Sequence, residues 1–414
     1  MSGADAGGAR PPLAILVAVT ALGPLALNII MPSMPGLQTV FRADYGTVQL
    51  TLSLYLVGFA VSQLVYGPLS DRFGRRPVLL CGLALFVAAN LLCLAAPTIE
   101  VLIAGRLLQA VGGCAGMVLS RAIIRDMHSR ERSATVIAYL TMAMVVAPML
   151  APLLGGYLDE WFGWWASFLF TAAAGAVVLA IAVGRLVETR HPSAAPGGAA
   201  AVIAGFRRLL TMPVFAGYAV QTGMTSAGFF AFLGGAPFVI VEIMHRPKSE
   251  YGLYFVLSAV GYMAGNFATG RLSARVGIDR LIGTGACLSL AASSLMVALA
   301  LGGVVTPMAL FGPMTLFALG NGLSIPSGLA GVVSVDPHLA GTASGCAGFL
   351  QMGLGAVAST VVGHLVATAD NQLPLAAAMA LTSALAVMAW LGTLWAVRRS
   401  ARTPGPAQCL AQGE

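Results

Sequence analysis

The chain has 414 residues, of which 58% are hydrophobic and only 9% charged, and its mean hydropathy is +0.87. A soluble domain carries about 25% charged residues, so this composition excludes a water-soluble globular fold and points to integration in a membrane. The formal net charge of +7 is accounted for below by topology, without nucleic acid.

The N-terminal segment MSGADAGGARPP has one Arg and no separate short signal core, so the first apolar run is expected to stay as an uncleaved helix. Twelve runs of the length a bilayer requires follow in chain order: 13–34, 48–70, 77–96, 98–122, 133–157, 164–187, 213–241, 250–272, 280–302, 305–333, 341–367 and 373–397. The reading is an all-α membrane protein with 12 transmembrane helices in two pseudo-symmetric six-helix halves, 1–187 and 213–397. The Pro/Gly/Ala-rich segment 188–212 joins them as a linker, and 398–414 forms a tail.

A duplication supports the two halves. The polar gap GPLSDRFGRRPVLL at 67–80 has a weaker copy, GRLSARVGIDRLIG, at 270–283. Gly67, Leu69, Ser70, Arg72 and Gly74 recur as Gly270, Leu272, Ser273, Arg275 and Gly277. Orientation follows from the cations. With both termini in the cytoplasm, 18 Lys and Arg fall on that side and 3 (Arg42, Arg246, Lys248) outside, which is the positive-inside pattern. Arg106 alone is left inside the membrane.

The charged gap, the fourth run GRLLQAVGGCAGMVLSRAIIRD (105–126) and the fifth run's APMLAPLLGG (147–156) together resemble the major facilitator superfamily, in particular its drug:proton antiporters. The stretch 49–80, and GTASGCAGFLQMGLGA at 341–356, are similar to the Bcr/CflA family of bicyclomycin and chloramphenicol/florfenicol exporters. That resemblance implies drug efflux by alternating access in the inner membrane, with protons as partners and no cofactor or metal. A monomer suffices for it. One departure stands out: the first run reads LNIIMPSMP, so Asn28 occupies a position that is acidic in many relatives.

Residue by residue, Gly67, Asp71, Arg72, Gly74, Arg75 and Arg76 are candidates for a gate. Asp71 is expected to face the N-terminus of the eleventh helix near Gly341, and Arg75 to pair with Asp126, when the cytoplasmic side is closed. Arg106, about 12 Å into the fourth helix, is a candidate for the polar part of a substrate cavity, with Asn28 about 9 Å deep and Gln109 one turn away. Tyr55, Gln221, Phe229, Phe230 and Gln351 are further lining candidates, as are Gln63, Asn266 and Asn321. Pro148, Pro152, Gly155 and Gly156 are expected to bend the fifth helix and seal it against proton leak. Gly341, Gly345, Gly348, Gly353 and Gly355 are expected to pack the eleventh helix.

The acids decide the substrate class. Glu100 and Glu242 sit at helix ends and no carboxylate falls near a helix centre, so a cavity built around Arg106 disfavours cations. His364 is expected at the interface. An enzyme reading has only GLSI at 322–325 with His364, in the loose form of a serine site. HExxH, GxGxxG and the phosphate loop are absent, as are CxxC pairs among Cys81, Cys93, Cys114, Cys287, Cys346 and Cys409.

Overall fold

A computed structural model describes residues 13–127, 148, 150–189, 204–205, 207–209, 211–336 and 339–402. Arg10, Arg130, Arg132, Arg190 and Cys409, the start of the fifth run and most of the linker lie outside the described residues. Twelve of the helical elements among the described residues make up the two halves. The first half holds α1 (Leu13–Phe41), α2 (Tyr45–Phe73), α3 (Arg75–Leu94), α4 (Ile99–Met127), α5 (150–162) and α6 (Trp165–Arg185). The second holds α7 (Pro213–Phe238), α8 (Lys248–Val276), α9 (Ile278–Leu301), α10 (Pro307–Ser334), α11 (Ala340–Ala367) and α12 (Leu373–Arg402).

Ten of these are long and apolar enough to cross a membrane. Of the other two, α5 is described only in part, and α8 is made less apolar by Tyr251, Tyr254, Tyr262 and Asn266.

Local chemistry sets the ends. Asp44 caps α2 by accepting from Thr47 N at 2.9 Å and Thr47 Oγ1 at 2.7 Å. The Thr47 hydroxyl, then its backbone N–H, hold the Asp44 carboxyl below the usual carboxylate range. Thr306 caps α10 in the same way. Within α1, Pro32 and Pro35 lack backbone donors, and the helix that starts at Leu13 stops at Ile29, tightens to a 3₁₀ turn (Met31–Ser33) and resumes at Met34. Gly74 (φ +96°) and Gly277 (φ +87°) reverse the chain between α2 and α3 and between α8 and α9. A side chain is strained at those angles. Gly74 N bonds Ser70 O at 3.0 Å and Gly277 N bonds Ser273 O at 3.1 Å, so the repeated Ser and Gly build the same turn twice.

The packing repeats as well. In the first half α4 packs on α1, α2 and α3, and α3 on α6; in the second α10 packs on α7, α8 and α9, and α9 on α12. Small residues permit these approaches, the usual device where lipid supplies no hydrophobic drive between helices. Gly112 of α4 lies against Gly82 and Phe86 of α3, and Gly322 of α10 against Tyr262, Gly265 and Asn266 of α8.

The core is divided unevenly. On the face that carries residues 67–76, two apolar clusters stay separate, one around Leu79, Ile123 and Leu186 and one around Leu209, Phe215 and Ala343. Toward the opposite face, a single cluster joins both halves through Met31, Tyr45 and Leu52 with Phe232, Val239 and Phe255. The halves meet there along α2 and α11 and along α5 and α8. Gly67 and Gly341, on the other face, have nothing within 4 Å of where a side chain would begin.

Candidate functional site

Arg106 is 0% exposed, inside the first half. Its Nη1 donates to Ala26 O at 2.9 Å and to Gln109 Oε1, and its Nε to Thr51 O at 3.4 Å. Its guanidinium lies 4.3 Å over the Tyr55 ring, whose hydroxyl donates to Gly23 O at 2.9 Å. Ala26 lies in the last helical turn before the Pro-x-x-Pro break, where carbonyls are open to outside donors. The break in α1 therefore helps seat the arginine. The Nη2 group has no partner among the described residues.

The network continues across the bundle. Gln109 Nε2 donates to Asn90 Oδ1 at 2.6 Å, and Thr171 Oγ1 donates to the same oxygen. Asn90 Nδ2 closes on Phe86 O at 2.8 Å. Asn90 and Thr171 escaped sequence reasoning, although a lone Asn in the apolar run of α3 was a signal. Every acceptor that the described residues offer the cation is neutral.

Of the expected group Arg106, Asn28 and Gln109, a bond joins Arg106 to Gln109, with Tyr55 beneath the guanidinium, and among the described residues none joins Arg106 to Asn28. Asn28 Nδ2 donates to Pro24 O at 2.8 Å, and its buried Oδ1 has no partner among the described residues. The remaining candidates are dispersed. Gln221 is buried and bonds Thr225 Oγ1 at 3.0 Å within α7. Phe229 packs on Phe230 and Phe255. Asn266 bonds Tyr262 O at 2.8 Å, and Asn321 accepts from Ser289 at 3.3 Å. Gln63 of α2 fits against Gly348 of α11, and Gln351 lies one turn further along that face. Both glutamines bury an Nε2 that has no partner among the described residues. Of the α11 glycines, Gly348 and Gly355 meet Gln63 and Phe230, whereas Gly341 and Gly353 border open space.

At the charged loop, Arg75 bonds Asp71 at 2.6 Å, Asp126 at 3.0 Å and Ser70 Oγ. The backbone N–H groups of Arg75 and Arg76 donate to Glu188 at 2.9 and 3.1 Å, so a carboxylate just after α6 caps α3. Arg72 is exposed, 5.1 Å over Phe73. The expected Arg75–Asp126 pair is made between α3 and the end of α4, both in the first half, with Gly67 and Gly341 unopposed.

In α5, Gly155 backs directly onto the Ile29 carbonyl of α1, and Gly156 would place a Cβ 2.9 Å from Ser249 Cα of α8. Pro152 is buried where its carbonyl meets Gly252 of α8; Pro148 is half-buried. Glu100 and Glu242 are exposed at helix ends. Ser324 donates to Ile282 O at 3.1 Å, while His364 sits near the other end of the bundle beside Gly46, so the loose serine pattern assembles no nucleophile and base. Among the described residues no cluster of three His, Cys, Asp or Glu could hold a metal.

The family model described as Major Facilitator Superfamily matches residues 16–360. Multidrug resistance protein D of Escherichia coli (strain K12) is 32% identical over 92% of this chain and 94% of its own. The chloramphenicol resistance protein of Pseudomonas aeruginosa is 28% identical over 80% of this chain and 79% of its own. A bacterial homologue of the human lysosomal transporter Spinster, in an inward-facing, unoccupied conformation, superposes with a TM-score of 0.72. It is 16% identical and is covered over 96% of its length by 93% of this chain, which shows the fold alone. With ten helices among the described residues long and apolar enough to cross a membrane, the chain is a multi-pass membrane protein that belongs to the Major Facilitator Superfamily.

Proposed function

We propose that this chain exports small neutral or weakly anionic amphiphilic drugs, phenicol- or bicyclomycin-like, by proton-coupled antiport, and is a transporter rather than an enzyme. The observation that carries the substrate class is Arg106, a buried cation whose acceptors among the described residues are all neutral and whose Nη2 group has no partner among them. A permanent positive charge in a poorly screened interior raises the cost of bringing a second cation near. Drug export is supported by the drug-resistance names of the relatives and by the charged loop and fifth-helix motif.

The excess of Lys and Arg on the face of residues 67–76 supports placing that face, and both termini, in the cytoplasm. In that orientation the apolar cluster joining the halves closes the outer side, and the separated clusters flank an inward opening. Arg106, Gln109 and Asn28 are then buried in the inward-facing state, and rocking of the halves is what brings polar groups to the substrate. Asp71, exposed on one side though paired with Arg75, and the exposed Arg72 dock on the start of α11 when the inner side closes. A monomer in the cytoplasmic membrane is sufficient for this cycle.

The test is accumulation of labelled chloramphenicol in a pump-deficient bacterium expressing the chain. Lower accumulation, restored by a protonophore, is expected, with little effect on ethidium. Unchanged accumulation with the protein present in the membrane would remove phenicols and favour an endogenous metabolite. Strong ethidium export alone would contradict the charge argument.

A further inference from the structure

The closure between the halves is more than apolar packing, because at its edge the end of α5 and the start of α8 carry charge. Lys248 is the first residue of α8, and its Nζ lies 3.2 and 3.1 Å from the two carboxylate oxygens of Asp159 in α5. The Asp159 side chain is 4% exposed and that of Lys248 28%. The neighbouring residues repeat the contact: Glu160 Oε1 accepts from Ser249 N at 2.8 Å. A carboxylate thus takes an N–H group at the positive end of α8. Lys248 also reaches α1, where a Cβ at Gly36 would stand 2.8 Å from Nζ. The ammonium is held between two elements of the first half while its backbone belongs to the second. Gly156 makes the approach possible by leaving room for Ser249.

We propose that Asp159, Glu160 and Lys248 form a charged outer gate that fastens the halves in the inward-facing state and parts each time the outer side opens. It is the counterpart of the loop at 67–76, placed at the other end of the same rocking motion. Removing one partner leaves the other charge partly buried in the closed state and solvated in the open one, so each single neutralisation favours opening. Reversing both charges restores the attraction. The inference rests on the alternating-access reading above but not on any substrate.

Electron–electron resonance distances between spin labels at Phe162 of α5 and Leu253 of α8, both exposed, test it in lipid nanodiscs without substrate. The six native cysteines are replaced beforehand. Asp159→Asn and Lys248→Gln are each expected to raise the ratio of long to short distances at least fivefold. Asp159→Lys combined with Lys248→Asp is expected to return it toward wild type. A wild-type distribution in either single variant, or a double variant as open as the singles, would overturn the gate. If Asp159→Asn fails to insert, Lys248→Gln carries the same test. Because no drug is present, failure here is distinguishable from a wrong substrate class.

Discussion

A guanidinium has five N–H donors in a planar fork, and burying it inside a helical bundle requires acceptors in matching directions. Arg106 finds them in Ala26 O, Thr51 O and Gln109, with the Tyr55 ring beneath. A lysine keeps the charge but has a point-like head that cannot serve all these partners at once. Arg106→Lys is therefore expected to lower export about tenfold or more, as charge-assisted bonds of about 1.5–3 kcal/mol each are lost. Drug accumulation at matched membrane protein level checks this; export near wild type would show that charge alone matters. The pairing of Arg106 with Gln109 was legible because three residues separate neighbours on a helix face. Its continuation to Asn90 and Thr171 was not, since no spacing rule links α3 and α6 to α4. Asn28 was placed at Arg106's level from depth alone, and depth along a helix says nothing of the direction in which a side chain leaves it.

At the scale of helices, the apolar runs located the spans, but the helices outrun them. The run 48–70 lies within a helix from Tyr45 to Phe73, because the Asp44 cap and intrahelical bonds extend it past its apolar part. The first run hid a 3₁₀ turn at its prolines. The fifth helix shows how little a glycine leaves visible. Gly155 was readable as a packing residue, yet its partner, the Ile29 carbonyl at the broken end of α1, follows only from the assembled bundle. Gly155→Ala places a methyl group on that carbonyl and forces α5 away from α1. Overpacking of this kind costs about 1–3 kcal/mol, so a lower melting temperature in detergent is expected. A variant as stable as wild type would show that α5 shifts freely.

At the scale of the molecule, the duplicated loop announced two halves, and the repeated contacts of α4 and α10 display them. Which side is closed was not legible, because that depends on pairings between distant segments such as Tyr45 Oη to Gly234 O and Thr360 Oγ1 to Ser53 Oγ. The outer gate was hidden for the same reason: Asp159 and Lys248 look like ordinary charges at run ends until α5 and α8 are brought together. In the proposed cycle the two faces open in turn, with drug leaving as protons enter. The most direct test uses purified protein in liposomes holding a proton gradient and a trapped pH indicator. Chloramphenicol added to wild type should speed collapse of the gradient severalfold, with Arg106→Lys close to protein-free liposomes. Drug movement across the same membranes with no change in proton flux would contradict proton-coupled export.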